Sequence, residues 1–403
     1  MKPELSNFAA RLLPLLRDTA RQAPDDEFNE LALELFALQF KYNSAYRIIC
    51  EAQKRPPEVV EHWTRIPAVP AAAFKELELT CLAPDERTAV FHSSGTTEQK
   101  PSRHYHSAES LKIYEASLLP WFLEYVLPDL RITNCDFRLE NKSAIGNLQS
   151  AIFLTPLPEQ APHSSLVHMF ETVRQKIGGA SVPASRAEFL GKIAADGSWT
   201  LDFDVIVQKL KAACDKATPV TLLGTAFLFV HLLDFLGERN LLFRLPLGSR
   251  VMETGGYKNH SRTMPKDELY TLITERLGIP QSHIVCEYGM SELSSQAYDE
   301  AIGRAGCPQP AGWRRGEDTA PYLRRYFHFP PWARVQIISP ETNREVADGE
   351  TGLIRVFDLA NVFSVMAIQT EDLGVRHGDG FELLGRAQFA EPRGCSLMSV
   401  ESE

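Results

Sequence analysis

Between Val220 and Cys286 the chain alternates in a way that few folds accommodate. Val220–Leu223 is a short apolar run of strand character, and an apolar helical stretch follows it to Arg239. Ser249–Glu253 repeats the strand signature, Pro265–Leu277 carries apolar residues at helical spacing and is closed by Gly278, and His283–Cys286 returns to strand. Strands separated by helices are joined by crossovers, so this alternation predicts an α/β fold built on a mostly parallel sheet. Thr88–Phe91 reads as another strand entering a loop, and Ser107 opens a helix with apolar positions at 111, 114, 118, 121 and 122. From Phe8 to Lys54 the apolar spacing is helical throughout, with Asp25-Asp26 as a helix start, until Pro56-Pro57 and Ile66–Pro70 interrupt it. Beyond about 330 the rhythm shortens to Arg334–Ile338, an Asp348-Gly349 turn and Gly352–Phe357, which predicts a small antiparallel or barrel-like lobe. The expected organisation is a helical region over 1–85, an α/β core over 86–330, a small β lobe over 331–385 and a tail over 386–403.

Composition narrows the function. Lys and Arg number 42 against 52 Asp and Glu, a formal charge of −10, which argues against nucleic acid as the main partner. Seven cysteines, at 50, 81, 135, 214, 286, 307 and 395, form no CxxC and no paired spacing, as expected of reduced thiols in a cytoplasmic protein. The longest apolar run, Val220–Leu236, contains His231 and Asp234 and reads as buried core rather than a bilayer span. The N-terminal segment mixes charges among its apolar residues, unlike a signal peptide. His104 and His106 have no HExxH or Cys/His company, so a structural zinc is not expected. No Gly-x-Ser-x-Gly elbow is present, which argues against a hydrolase of that type.

Four blocks carry candidate chemistry. Ser93-Ser94-Gly95-Thr96-Thr97-Glu98-Gln99-Lys100 follows a strand and offers four hydroxyls, a glycine for close backbone approach and a lysine. Such groups wrap a phosphate chain, although the spacing is not that of a Walker A loop. Taken alone, the block would also suit a polar surface loop. Glu253-Thr254-Gly255-Gly256-Tyr257 places two glycines after a strand, a pattern shared by ordinary turns. Tyr288-Gly289-Met290-Ser291-Glu292-Leu293 follows another apolar strand; its glycine admits a flat ligand and Glu292 offers a hard oxygen for Mg²⁺. In Gln369-Thr370-Glu371-Asp372-Leu373-Gly374, Asp372 is expected at a strand end, either accepting two ribose hydroxyls or capping a turn.

The order of these blocks, ending in Gly385-Arg386, resembles that of adenylate-forming enzymes from about residue 86 to 386. Within that superfamily the chain looks most like the LuxE-type acyl-protein synthetases, which are related to phenylacetate–CoA ligases. The residues carrying the resemblance are Ser93–Thr97, Ser102-Arg103-His104-Tyr105, Glu253–Gly256, Tyr288–Glu292 and the terminal Arg393-Gly394-Cys395-Ser396. The resemblance implies the N-terminal-domain fold of adenylate-forming enzymes, with parallel-rich sheets flanked by helices and a small β-barrel-like lobe. It implies that Ser93, Ser94, Gly95, Thr96, Thr97 and Lys100 hold the β- and γ-phosphates of ATP. Gly255 and Gly256 would lie along the adenine and Tyr288 against its ring, with Gly289 and Met290 in the same block. Ser291 would approach the α-phosphate, Glu292 would hold Mg²⁺, Asp372 the ribose, and Arg386 would sit near the ribose or hinge. His104 would line the carboxylate site of the acid.

The reaction implied is carboxylate attack on the α-phosphorus to give an acyl-adenylate. In the resembling family a cysteine near the C-terminus takes the acyl group as a thioester, and Cys395 is the matching position, in a glycine-flanked tail beside Arg393. From there the acyl group would pass to an acyl-CoA-reductase-type partner. Other outcomes remain open: direct transfer to CoA, a carrier-protein thiol or an amine, or a non-catalytic scaffold subunit. Two departures bear on this. Glu98 stands where the loop usually has glycine, and a carboxylate beside a triphosphate is repulsive. Only 17 residues follow Arg386, so the mobile C-terminal domain of most relatives, with its assisting lysine, is expected to be missing; Lys100, Lys258 and Arg103 are candidates to replace that cation. Fatty, aryl and short polar acids all fit what the residues say, and Arg314-Arg315 and Arg324-Arg325 read as solvated charges or a docking patch.

Overall fold

The computed structural model describes residues 2–20, 24–93, 100–128, 150–178, 187–255, 264–301 and 324–387. The first part is helical, with α1 (Pro3–Leu12), α2 (Asp25–Tyr42) and α3 (Ser44–Ala52), then the short strand β1 (Val69–Pro70) and one turn of helix, α4 (Ala73–Glu76). A hairpin of β2 (Ala89–His92) and β3 (Arg103–His106) leads into α5 (Ala108–Val126). Next come β4 (Ser150–Phe153), α6 (Ser165–Gly178), β5 (Ala187–Phe189), the small hairpin β6 (Gly191–Ile193) and β7 (Trp199–Leu201), and α7 (Phe203–Asp215). The alternating stretch follows as β8 (Val220–Thr225), α8 (Ala226–Glu238), β9 (Arg250–Thr254), α9 (Lys266–Leu277) and β10 (Ile284–Tyr288). The remaining strands are β11 (Ala297–Ala301), β12 (Arg325–His328), β13 (Ala333–Ile338), β14 (Thr351–Asp358), β15 (Ala367–His377) and β16 (Gly380–Arg386).

These strands form one large mixed sheet in the order β13-β14-β15-β16-β12-β11-β10-β9-β8-β4-β5, with β1 added beside β15. From β5 to β10 all pairs are parallel, as the strand–helix alternation requires; from β10 to β13 all are antiparallel. The antiparallel strands expected beyond 330 thus extend the edge of the same sheet. The parallel half is covered on both faces, and its strands read accordingly as continuous apolar runs. Leu222, Val251 and Ile284 pack against α7, α8 and α9, while Leu223, Met252 and Val285 face α5 and α6. Helix α8 is apolar nearly all round because it is interior: Phe227, Leu228, Phe229, Val230, Leu232, Leu233 and Leu236 are all buried. Its 13 residues span only about 20 Å, and among the described residues no helix is long and apolar enough to cross a membrane.

Local signals explain the element ends. Asp267 and Glu268 occupy the first turn of α9, and Gly278 ends it at φ +73°, where an added Cβ would also lie 3.1 Å from Arg244 Cα. Ser107 caps α5 by accepting from the Ser110 N–H at 3.2 Å, while Ser110 Oγ accepts from the Ser107 N–H at 2.8 Å. One expectation is corrected. Gln369–Gly374 is neither a turn nor a strand end but lies within the 11-residue β15, paired to β14 on one side and β16 on the other. Two neighbouring strands override the turn-like composition, and register shifts at Leu353/Arg355 and Leu373/Gly374 absorb the irregularity.

The N-terminal helices pack on the antiparallel half of the sheet and on the loop between β14 and β15. Gln39 of α2, fully buried, donates from Nε2 to the carbonyls of Asn361 (2.8 Å) and Val362 (3.2 Å), and its Oε1 accepts from the Met366 N–H (3.0 Å). That loop is therefore held from outside the sheet by a side chain more than 300 residues away in sequence.

Candidate active site

In an open α/β sheet, ligands bind beyond the carboxyl ends of the parallel strands. Thr254-Gly255 ends β9 and Tyr288-Gly289 ends β10, so two of the four sequence blocks fall at that edge. Gly255 has φ +72°, a left-handed conformation that glycine adopts without strain. After β10 the chain runs through 289–296 before turning back as β11.

The β2–β3 hairpin lies against this segment. The Ser93–Ser102 ends of its loop close on each other, Ser93 N–H to Ser102 Oγ at 3.3 Å and Ser102 N–H to Ser93 Oγ at 3.0 Å. Ser102 Oγ is 3.3 Å from Ser291 Oγ, and His104 donates from Nδ1 to the Ser291 carbonyl at 2.8 Å. Ser291 Oγ in turn donates to Glu292 Oε2 at 3.1 Å, which leaves Ser102 as the donor between the two serines. Burial lowers the pKa of His104, opposed by the Ser291 carbonyl and the Glu292 charge. Glu292 is 1% exposed, and its backbone carbonyl accepts from Asn361 Nδ2 at 2.9 Å.

On the other side of β10, Tyr288 donates from Oη to Asp372 Oδ2 at 2.9 Å. Its ring is packed edge-on against Phe381 at 5.6 Å and Phe327 at 6.0 Å, which fixes the direction of the hydroxyl. Asp372 pairs in register with Arg386, whose Nε is 3.7 Å from Asp372 Oδ1 and whose guanidinium also bonds Glu371. Two sets of contacts thus meet on the segment leaving β10: the closed ends of the 93–102 loop bond Ser291, which bonds Glu292, and three residues before Ser291, Tyr288 bonds Asp372, beside Arg386. Met290 is partly buried against the neighbouring core.

Lys100, two residues before Ser102, is exposed, and its Nζ pairs with Glu76 of α4 at 3.0 Å. Burial and the neighbouring His163 lower the pKa of His92, and the charge of Arg103 adds to that effect. Ser94, Gly95, Thr96, Thr97, Glu98, Gly256, Lys258 and Cys395 are outside the described residues. Among the described residues no group of three or more His, Cys, Asp and Glu is placed to hold a metal ion, and Cys50, Cys81, Cys214 and Cys286 are free thiols.

Several groups around this site have no counterpart in the sequence blocks' readings. Glu287, buried, is bonded by the Thr254 hydroxyl, yet burial together with the charge of Glu253 pushes its carboxyl up to about 7. Gly289 makes room for it: a Cβ there would stand 2.1 Å from Glu287 Oε1. Beneath Glu292, Asp358 accepts from the Ser294 N–H (2.9 Å), Ser295 Oγ (2.7 Å) and the Ala360 N–H (3.0 Å). Asn361 accepts from Ser294 Oγ at 3.0 Å and donates to the Val365 carbonyl at 2.8 Å. The available signal was a polar interruption of an apolar run, since Asp358, Asn361 and Ser364 are the polar residues between Val356 and Val365.

Solved structures of adenylate-forming enzymes share this fold. A 2-hydroxyisobutyryl-CoA ligase in its postadenylation state, in complex with R3-HIB-AMP, superposes with a TM-score of 0.55 at 12% identity, over 91% of this chain and 69% of that one. The open conformation of that ligase, with 2-HIB-AMP and CoA, gives 0.52 at 13% identity over 91% and 76%. The family narrows further. The model of the LuxE acyl-protein synthetases matches residues 184–402, more than half of the sequence, and the chain belongs to that family. Curated relatives include the long-chain-fatty-acid–luciferin-component ligases of Aliivibrio fischeri, 22% identical over 208 residues, and Vibrio harveyi, 19% over 206. Each match covers 49% of this chain and 49% of the relative, so the chain spans about half the length of the curated relatives it matches.

Proposed function

We propose that the chain is an ATP-dependent ligase that activates a carboxylic acid, of the fatty class named for its relatives, as an acyl-adenylate. The observation that carries this reading is that the segment leaving β10 at the carboxyl edge of the parallel strands bonds the 93–102 hairpin through Ser291, next to Glu292, and bonds Asp372, beside Arg386, through Tyr288. Bringing a carboxylate onto a phosphate is opposed by charge, so positioned donors and cations are what the site must supply. Ser93 to Thr97 and Lys100 are assigned to the outer phosphates, with Gly255, Gly256, Tyr288, Gly289 and Met290 around the adenine. Asp372 and Arg386 are assigned to the ribose end. Ser291 is assigned to the α-phosphate and His104 to the incoming carboxylate. A magnesium ion on a triphosphate takes only one or two protein carboxylates, and Glu292 among the Ser291 and Ser102 hydroxyls suits that donor set. When bound, it would neutralise phosphate charge.

In the first step a carboxylate oxygen bonds to the α-phosphorus and the bond to pyrophosphate breaks. In the second, the Cys395 sulfur bonds to the acyl carbon, the thiol loses its proton, and AMP leaves. The thioester is then delivered to a reductase-type protein partner. Acid-dependent exchange of pyrophosphate into ATP tests the first step across acids of different length and aromaticity; no exchange with any of them would favour a non-catalytic scaffold. Labelled acid and ATP test the second. Label that survives denaturation, is released by neutral hydroxylamine and disappears in Cys395→Ser supports self-acylation, whereas label found only on added CoA, with the variant unaffected, removes Cys395 from the reaction.

A further inference from the structure

Between α5 and the sheet face that carries Thr254 and Glu287 lies a buried polar cluster next to the contacts described above. His106 follows His104 by two positions on β3, so both point to the same side, and their rings are 4.3 Å apart. His106 is 1% exposed and packs against Phe91 at 4.5 Å and Tyr114 at 6.0 Å. Its Nδ1 is 3.2 Å from Ser110 Oγ, whose own proton goes to the Ser107 carbonyl at 3.1 Å. Nδ1 is therefore the protonated nitrogen, and burial lowers the pKa enough to keep the ring neutral. Nε2 is left as a bare acceptor and has no hydrogen-bond partner among the described residues. Gln296, 5% exposed, donates from Nε2 to Tyr114 Oη at 3.4 Å, and its Oε1 is likewise an acceptor with no partner among the described residues. Two buried acceptors thus flank Tyr114, and acceptors withdrawn from water call for a donor.

Resting on the adenylation reading, we propose that the acceptors His106 Nε2 and Gln296 Oε1 recognise a hydroxyl on the acyl chain close to its carboxyl end, which donates its single proton to one of them, so that the acid activated is a hydroxylated one. The carboxylate must lie by Ser291 and His104 to reach the phosphorus, and His106 is the next ring along. The carbons nearest the carboxyl therefore pass the two acceptors first. The group they meet must donate. A neutral hydroxyl does so without bringing a charge into a wall made of Phe91, Tyr114 and His168, where an ammonium would be expensive to bury.

The test is pyrophosphate exchange on the full chain with length-matched acids: butanoic, 2-hydroxybutanoic, 3-hydroxybutanoic and 3-aminobutanoic, and decanoic with 3-hydroxydecanoic. A hydroxylated member is expected to exceed its unsubstituted counterpart by about tenfold to a hundredfold in kcat/KM. That ratio is expected to fall toward one in at least one of Gln296→Met and His106→Phe, whichever removes the acceptor that takes the proton, with melting temperatures reporting whether each variant folds; should either fail to fold, the ratio in the parent chain decides. Equal or better use of the unsubstituted or amino acids, or a ratio unmoved in both folded variants, overturns the inference while leaving adenylation standing. Exchange with no acid at all overturns the adenylation reading and the pocket assignment together.

Discussion

Replacing Gln39 with methionine keeps the length and bulk of the side chain and removes three hydrogen bonds at once. The Asn361 carbonyl retains a long bond from the Ser364 N–H at 3.4 Å, but the Val362 carbonyl and the Met366 N–H have no other partner among the described residues. A buried group stripped of its partner costs about 1–3 kcal/mol, so Gln39→Met is expected to cost about 2–5 kcal/mol in all. At roughly 2.1 cal/mol/K per residue, a chain of 403 residues has an unfolding entropy near 0.85 kcal/mol/K. The melting temperature should therefore fall by about 2–6 °C, measured by calorimetry or circular dichroism. Because Asn361 also holds the Glu292 carbonyl, pyrophosphate exchange at 20 °C, where the variant is still folded, should fall by about tenfold or more. Gln39→Glu probes the same contacts through pH. Its ionised form still accepts from the Met366 N–H but turns the second oxygen onto two carbonyls, so the folded pKa of the new carboxyl is raised above its unfolded value. Stability is then retained at low pH, where the carboxyl is protonated and can donate, and is lost as pH rises through the folded value. The Gln39→Glu variant should therefore approach the parent's melting temperature only in acid. A fall of under about 1 °C for Gln39→Met, or a Gln39→Glu variant that is most stable at alkaline pH, would refute the reasoning.

Other outcomes follow from single contacts. Glu287 has its carboxyl raised from 4.5 to about 7 in the fold; the unfolded chain releases that proton first, so this group's contribution to stability declines as pH rises across that window. Glu287→Gln should remove that slope, seen as a melting-temperature difference from the parent that grows up to about pH 7 and then levels; a constant difference would count against it. Tyr288→Phe keeps the packing on Phe381 but deletes the 2.9 Å bond to Asp372, and should raise the KM for ATP by about fivefold or more with little change in melting temperature; an unchanged KM would remove Tyr288 from the nucleotide site. Gly289→Ala must displace the Glu287 carboxyl that would lie 2.1 Å from its Cβ, at a cost of about 1–3 kcal/mol, and a variant as stable as the parent would show that the carboxyl moves freely.

What could be read in advance was whatever local chemistry decides. Helix α9 was legible from its apolar spacing and Gly278, and α5 from Ser107, because such signals act over three or four residues. The parallel half of the sheet followed from strand and helix alternation. Strand β15 did not, because Gln369–Gly374 is extended only by virtue of neighbours on both sides. At the site, Tyr288, Ser291, Glu292 and Asp372 stood out as letters in glycine-bearing blocks, but the bond between Tyr288 and Asp372 spans 84 positions. The buried amides and carboxylates beneath them were harder still. Gln39 sits in an ordinary amphipathic helix, and only the fold reveals that its side chain replaces a missing strand partner for the 361–366 loop.

The bonds around Ser291 and Glu292 differ in kind, and the difference suits the proposed reaction. Below Glu292, the contacts are between fixed groups: backbone N–H groups on Asp358, the Asn361 amide on two carbonyls, and Trp332 Nε1 on Ser117 Oγ at 2.8 Å. Such bonds set the backbone, and none is easily exchanged. Above it, Ser102 and Ser291 meet hydroxyl to hydroxyl at 3.3 Å, and Ser291 reaches Glu292 at 3.1 Å. Both are longer than the usual 2.7–2.8 Å for O–H···O, and each hydroxyl can rotate about its own bond. A phosphate oxygen offers the same hydroxyls a charged and therefore stronger acceptor. The framework thus holds the Glu292 backbone in place before any ligand arrives, while the hydroxyls that must change partners are the ones bound least tightly.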